Sequence, residues 1–275
     1  MVPARPVAGA PSLALDNASL ALDYERISAT RQLEAGRQLV QELAIRPGER
    51  VLDVGCGTGL LAEHIADIVG PEGSVLGVDP LPLRIGLATS RARDNLSFEV
   101  ADANDLSRLA DGSFDVAVLN AVFHWLPDKT GPLLSFRRVL RHGGRLGIST
   151  ALKGHISELQ VAARAVLAEP PFDLHPRPRE SITFRVDGEE LRALLQTTGF
   201  HLLSVAERES EVHHADAAAA LRFMEASSFG NVLGHLPVEL RDRARNRVRE
   251  KLAEIAGPGG IVTQVRRLVA IAERR

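Results

Sequence analysis

Val51-Leu52-Asp53-Val54-Gly55-Cys56-Gly57-Thr58-Gly59 is the stretch from which the rest of the chain can be read. Its first four residues are apolar apart from Asp53 and have the character of a short buried strand. Alternate glycines then predict a tight turn, because glycine tolerates positive φ and lets the backbone pass close beneath a ligand. Leu60-Leu61-Ala62-Glu63-His64-Ile65-Ala66 follows with helical spacing, and the first amides of such a helix are unpaired donors. Strand, glycine turn and helix together predict a ligand cradle.

The glycine spacing narrows what that cradle holds. A nicotinamide or flavin fingerprint is G-x-G-x-x-G, whereas Gly55, Gly57 and Gly59 form G-x-G-x-G, with Leu60 where the third fingerprint glycine belongs. A phosphate loop requires Lys-Ser or Lys-Thr after the glycines, and neither is present. The expected ligand is a nucleoside without a pyrophosphate.

Downstream, strands and helices alternate. Residues 74–79 read as a buried strand ending on Asp79, whose carboxylate at a strand's carboxyl end is placed to accept from two ribose hydroxyls. Residues 83–92 read as a helix and 96–100 as a strand. Just past that strand, Asp102 is placed to accept from an adenine amine, although Asp102 or Asp105 also suits a turn cap. Residues 114–120 are an apolar strand ending on Asn120, and Phe123-His124-Trp125-Leu126-Pro127-Asp128 then brings the only tryptophan beside the crevice. A helix over 129–140 and a strand over 145–150 complete a fifth unit. The alternation predicts a parallel doubly wound sheet.

After Thr150 the rhythm changes. A helix over 156–167 and a Pro-, Arg- and His-rich loop over 169–180 read as an inserted cap. Regular structure resumes with a helix over 187–198 and a strand from Phe200, interrupted by helices at 215–223 and 238–255. A last strand over 264–272 closes the sheet. Residues 227–234 read as a loop that either holds a substrate or merely connects. The expected organisation is a helical lid region over 1–45, a core over 46–150, the cap over 151–186, and completion of the core over 187–275 with a helical insertion at 215–256. Tyr24, the only tyrosine, is either a lid residue or a packing residue.

Composition excludes some functions. The formal net charge is −2 over 275 residues, which lacks the basic field of a nucleic-acid-binding chain. The single cysteine, Cys56, rules out an intrachain disulfide or a multi-cysteine metal site, and argues against arsenic methylation through several thiols. Residues 1–17 contain no continuous apolar run of signal-peptide or membrane-spanning length. A mobile beginning to the chain and a cytoplasmic setting are the expectations, with no membrane or nucleic-acid partner and a monomer or homodimer as the assembly. His213-His214 reads as a strand end rather than a metal site, since neighbouring strand residues face opposite sides.

Residues 51–59 (VLDVGCGTG), Gly77-Val78-Asp79, Ala101-Asp102-Ala103, Phe114-Asp115 through Asn120, and residues 138–146 (RVLRHGGRL) resemble, in order, the motifs of class I S-adenosylmethionine-dependent methyltransferases. The likeness is strong over residues 30–150 and general elsewhere. It implies an α/β fold with a Rossmann-like doubly wound seven-stranded sheet. That sheet would be mostly parallel with an antiparallel final strand, and would carry a helical cap inserted after the fifth strand. It also implies S-adenosyl-L-methionine as cofactor, S-adenosyl-L-homocysteine as product and no metal. Carried over by position, Gly55, Cys56 and Gly57 line the methionine moiety, with Asp53 near its amino group. Asp79 takes the ribose, Pro80, Asp102 and Ala103 bound the adenine, and Asn120 turns its backbone toward the sulfonium; Tyr24, on its reading as a lid residue, would close over the cofactor. Pro80-Leu81-Pro82 departs from the family's usual helix start.

The stretch from Phe123 to Asp128 resembles small-acid carboxyl methyltransferases such as the trans-aconitate and juvenile hormone acid enzymes, and quinone-biosynthesis methyltransferases share the layout. The implied activity is O- or C-methylation of a small acid, phenol or quinone-like acceptor. A carboxylate acceptor needs no base. A hydroxyl, phenol or carbon acid needs one, for which His124 is the candidate. Trp125 and His155 are candidate acceptor contacts, and Arg177, Arg179 and Arg185 are cations that suit an anionic acceptor. A non-catalytic S-adenosylmethionine-binding regulator would have lost an acid or glycine from these motifs, and none is lost. An RNA methyltransferase would carry a basic face or an added module.

Overall fold

The computed structural model describes residues 13–175, 183–228 and 232–275. Asn17 begins the regular structure by accepting from the Leu20 amide, an N-cap for α1 (Ala18–Asp23). A π-helical turn (Tyr24–Ser28) leads into α2 (Ala29–Glu42). The chain continues through β1 (Arg50–Val54), α3 (Leu60–Val69), β2 (Ser74–Asp79), α4 (Pro82–Ala88), β3 (Leu96–Val100), β4 (Phe114–Asn120), α5 (Thr130–Val139) and β5 (Leu140–Ala151). It ends with α6 (Glu158–Leu167), α7 (Gly188–Thr197), β6 (Phe200–His214), α8 (Ala217–Ser227), α9 (Val238–Ala253) and β7 (Ile261–Arg274).

The seven strands lie in the order β3-β2-β1-β4-β5-β7-β6. Strands β1 to β5 pair in parallel, and β7 runs antiparallel to β5. This is the doubly wound sheet with an antiparallel last strand expected from the sequence. The connections leave β1 toward β2 on one side and reach β4 on the other, so the chain reverses direction across the sheet between β1 and β4. A crevice opens at the carboxyl ends of the strands at such a reversal.

Two compact units divide the chain. The sheet unit comprises residues 29–153, 184–208 and 267–275, and the helical unit comprises the described parts of 1–28, 154–183 and 209–266. In the sheet unit the period-two alternation of β4 feeds both faces. Val116 and Val118 pack with Leu39, Val40, Leu43, Leu61 and Ile65. Ala117 and Leu119 pack with Phe123, Leu133, Phe136, Leu191 and Leu195. Burial on both sides explains why β4 reads as a continuous apolar run. At the opposite edge from the crevice, Arg145 donates to both oxygens of Glu49 at 3.0 and 2.8 Å and to the Leu43 carbonyl at 2.8 Å, tying β5 to the end of α2. Asp187 and Glu190 form a reciprocal capping box on α7.

The helical unit has its own core, with Leu159 and Val166 of α6, Leu221 and Met224 of α8, and Val248 and Leu252 of α9. Arg245 and Arg247 of α9 pair with Glu225 and Glu169, at 2.9 and 3.1 Å. Much of that helix's basic face is thus committed within the chain. His214 is buried with its Nε2 3.4 Å from the Thr263 hydroxyl, while His213 lies beside Glu211. The pair therefore splits across a strand, as the periodicity requires. No described helix is long and apolar enough to cross a membrane. Among the described residues no group of three or more His, Cys, Asp or Glu side chains is placed to hold a metal ion.

Candidate functional site

Between β1 and α3 the chain turns on Gly55, Gly57 and Gly59, with φ of 70°, 58° and 88°. The Gly55 and Cys56 amides both donate to the Val78 carbonyl, at 2.7 and 3.0 Å, which anchors the turn to β2. A Cβ on Gly55 would stand 2.3 Å from Val122 Cγ2, and one on Gly59 would stand 2.8 Å from the Phe98 ring. Positive φ and lack of space thus both demand glycine. Gly55→Ala should lower stability by about 2 kcal/mol, combining backbone strain with overpacking. Urea unfolding of the two proteins checks this; an unchanged midpoint would show that Val122 yields at no cost.

Two acids converge on this turn. Asp79 at the end of β2 accepts from the Gly57 amide through Oδ2 at 3.0 Å and from the Leu81 amide through Oδ1 at 2.9 Å. An ionised carboxylate can accept several hydrogen bonds at once, so a group in this position suits a diol. Asp53 of β1 is 1% exposed, and its Oδ2 has no hydrogen-bond partner. Burial, reinforced by the negative charge of Asp79, pushes its carboxyl up to about 7. The buried Thr58 hydroxyl is likewise without a partner. Burial, reinforced by the negative charges of Asp53 and Asp79, pushes the Cys56 thiol well above its ordinary value, which keeps it protonated within the turn.

Past β3, the buried Ala103 is flanked by Asp102 and Asn104. Asp102 Oδ1 accepts from the backbone and side-chain nitrogens of Asn104 at 2.9 and 2.7 Å. Asp105 does the same for the Ser107 amide and hydroxyl. Both acids therefore shape turns. Pro80 stands half-buried between Asp79 and Leu81.

At the end of β4, the Asn120 side chain is already engaged: Nδ2 donates to the Gln32 carbonyl at 2.7 Å, and Oδ1 lies 3.5 Å from Arg267 Nη1. Arg267 also reaches Ser149 Oγ at 3.4 Å and Gln32 Oε1 at 2.6 Å. Gln32 and Arg267 escaped the sequence reading. The available signal was the Arg266-Arg267 pair at the head of the apolar run Leu268-Val269-Ala270-Ile271-Ala272.

His124 lies in a 3-10 turn (Phe123–Trp125) and is buried. Its Nδ1 is 3.1 Å from Thr150 Oγ1 and accepts from the Ala151 amide at 3.4 Å. The Trp125 ring stands 5.0 Å away, centroid to centroid. Lys129 donates to the Phe123 carbonyl and lies over the Phe123 ring. Burial brings its ammonium down to about 7, against a partial offset from Asp128.

Asp53, the glycine turn, Asp79, Asp102, Ala103, Asn120, His124 and Trp125 all belong to the sheet unit. Tyr24 and His155 belong to the helical unit. There Tyr24 opens the π-helical turn, and His155 Nε2 donates to the Gln264 carbonyl at 2.9 Å. Arg185 is described, whereas Arg177, Arg179 and the first dozen residues lie outside the described residues.

The sheet-unit groups fit an adenosyl amino acid. The cradle excludes a Cβ, Asp79 offers acceptors to a ribose diol, and the unpartnered Asp53 oxygen offers one to an ammonium. Comparison with known proteins agrees. Residues 45–196 match the family model described as a methyltransferase domain. A malonyl-[acyl-carrier protein] O-methyltransferase of Geobacter sulfurreducens is 33% identical over 84% of this chain and 85% of its own length. A trans-aconitate 2-methyltransferase of Deinococcus radiodurans is 34% identical over 52% of this chain, which spans about half of that relative (53%). Geranyl diphosphate C-methyltransferase of Streptomyces coelicolor, solved with Mg2+, geranyl diphosphate and S-adenosyl-L-homocysteine, shares the fold. It superposes with a TM-score of 0.54 and 15% identity over 88% of this chain and 79% of its own.

Proposed function

Because the chain belongs to the methyltransferase-domain family, we propose that it transfers a methyl group to a carboxylate oxygen of a small organic acid. It is an S-adenosyl-L-methionine-dependent methyltransferase of the small-molecule type. The bound cofactor supplies a methyl group already activated on a sulfonium, so the protein's task is alignment and exclusion of water. In this reading Asp79 orients the ribose, Asp53 receives the ammonium of the methionine moiety, and Gly55, Cys56 and Gly57 let the backbone approach it. Asp102 with the Ala103 amide faces the adenine, and Asn120 turns its backbone to the reacting centre.

The observation that carries the acceptor class is Arg267 at the strand ends, 3.5 Å from Asn120 Oδ1 and 3.4 Å from Ser149 Oγ, with Arg185 and Lys129 also close enough to act on His124. Guanidinium groups suit carboxylates through charge-assisted, often bidentate hydrogen bonds. The names of the Geobacter relative, a malonyl-[acyl-carrier protein] O-methyltransferase, and of the trans-aconitate 2-methyltransferase support a carboxylate acceptor. The transfer is balanced without a base: an acceptor oxygen forms the bond to the methyl carbon as the carbon–sulfur bond breaks, the electron pair stays on sulfur, and no proton moves.

Release of S-adenosyl-L-homocysteine should be seen with members of a panel of mono- and dicarboxylic acids and not with phenols. Turnover of phenols alone would overturn the acceptor class, and absence of S-adenosyl-L-homocysteine binding by calorimetry would overturn the cofactor site. For an acid that is turned over, Arg267→Leu should raise KM about tenfold or more, the cost of a charge-assisted contact, with a smaller change in kcat.

A further inference from the structure

We propose that His124 is a positioning residue that keeps its proton on Nε2 and offers that N–H to the acceptor oxygen, taking no proton during transfer. The inference rests on the methyltransferase reading and deepens it by assigning how the acceptor is held.

The donors around Nδ1 determine the tautomer. The Ala151 amide, 3.4 Å from Nδ1, can only donate, so the Nδ1 lone pair must face it. The Thr150 hydroxyl at 3.1 Å is free to rotate and donates to the same atom. A proton on Nδ1 would oppose the amide N–H, so the neutral ring carries its proton on Nε2. That nitrogen makes no hydrogen bond to a described residue, which leaves its N–H for a ligand.

The ring is also held in place. The Phe184 amide donates to the His124 carbonyl at 2.7 Å, fixing the turn, and the Trp125 ring packs alongside. Thr150 and Ala151 belong to β5, whose register with β7 sets Thr150 opposite Leu268 and Ala151 opposite Arg267. Two rigid strands therefore determine where Nδ1 finds its donors. Asn120, which ends β4, lies four positions before His124 in the chain, so the ring stands where ligands enter a doubly wound sheet.

Charge works in the same direction. Among the described residues, Arg185 from the segment preceding α7, Arg267 from β7 and Lys129 before α5, with Asp128 beside it, are charged groups that act on the ring. Burial together with the three cations holds the imidazole well below its ordinary value. A ring that resists protonation and directs its lone pair at a backbone amide is a poor base. It is a good neutral donor to an oxygen that arrives already ionised.

The test is a long-range proton–nitrogen spectrum of the cofactor-free full chain labelled at histidine nitrogens, recorded from about pH 5 to about pH 9, a range that brackets an ordinary histidine. Assignment uses His124→Gln, or the shift caused by Thr150→Val if that protein does not fold. The expected result is an unprotonated Nδ1 and a protonated Nε2 throughout. A protonated Nδ1, or a titration midpoint between about 6 and 8, would overturn the proposal. With an acid that is turned over, kcat should stay flat across the same range. His124→Gln, which keeps an N–H donor, should retain most of kcat/KM, while His124→Ala should lose about tenfold. Equal loss in both variants with a sloping pH profile would instead identify a base. The spectrum needs neither acceptor nor cofactor, so its outcome is separable from that of the cofactor-binding test.

Discussion

Asp79→Ala should weaken S-adenosyl-L-homocysteine binding by about a thousandfold. Two hydrogen bonds from ribose hydroxyls to an ionised acceptor contribute about 1.5–3 kcal/mol each, and about 1.4 kcal/mol corresponds to a factor of ten. The loss exceeds those two bonds, because Asp79 also holds the Gly57 and Leu81 amides at 3.0 and 2.9 Å. Its removal leaves two donors beneath the glycine turn without their acceptor, and the cradle loosens as the ribose contact disappears. Asp79→Asn separates the effects. Its single side-chain carbonyl can still accept from an amide, so the turn should survive better than the affinity. Titration calorimetry of the three proteins measures this, and an unchanged dissociation constant for Asp79→Ala would sink the ribose assignment.

Asp53→Asn should make the cofactor-free protein more stable above neutral pH while weakening ligand binding. The folded-state carboxyl lies at about 7, against 3.8 for the ordinary group. Between those values the unfolded chain has released the proton and the folded chain keeps it, so stability falls as pH rises from about 4 to about 7 and then levels off. At 1.36 kcal/mol per pH unit the interval corresponds to at most about 4 kcal/mol. An asparagine carries no charge to bury, so its contribution should not vary with pH. Urea midpoints at about pH 5 and pH 8 should diverge for the wild type and converge for Asp53→Asn; parallel behaviour would show that Asp53 is ionised without difficulty. Ligand binding follows the opposite sign. The ammonium of S-adenosyl-L-homocysteine favours ionised Asp53, so affinity should rise with pH up to about 7, with proton release detectable by calorimetry in buffers of different ionisation enthalpy.

These expectations show how unevenly the site could be read in advance. The glycine turn, Asp79 and the strand end at Asn120 are local features. Each follows from a few consecutive residues whose apolar pattern and terminators leave one reasonable conformation. The family resemblance covers this same region, which lies inside the methyltransferase-domain match over residues 45–196. Asp102 and Asp105 were legible as a choice between ligand contact and turn cap. The structure has both shaping turns through Oδ1, which leaves the adenine contact as a proposal.

Less could be read around the acceptor. His124 stood out as a candidate base because a histidine at a strand end is chemically versatile. Its hydrogen-bonding partners, Thr150 and Ala151, lie more than twenty residues away on the next strand. No periodicity in the local sequence encodes that β5 would aim an amide at Nδ1. Arg267 is more distant still, brought to Gln32, Asn120 and Ser149 by the antiparallel return of β7.

The sequence by itself determined the alternation of strands and helices, the glycine cradle and the acids at the strand ends. Those depend on short-range backbone preference and on the burial periodicity of single elements. The tertiary structure alone decided which nitrogen of His124 holds the proton, which cations surround it, and that Asp53 is buried against Asp79 with an oxygen left for a ligand. Those properties depend on the distance between groups far apart in the chain and on how completely water is removed from them, and only the assembled sheet sets either.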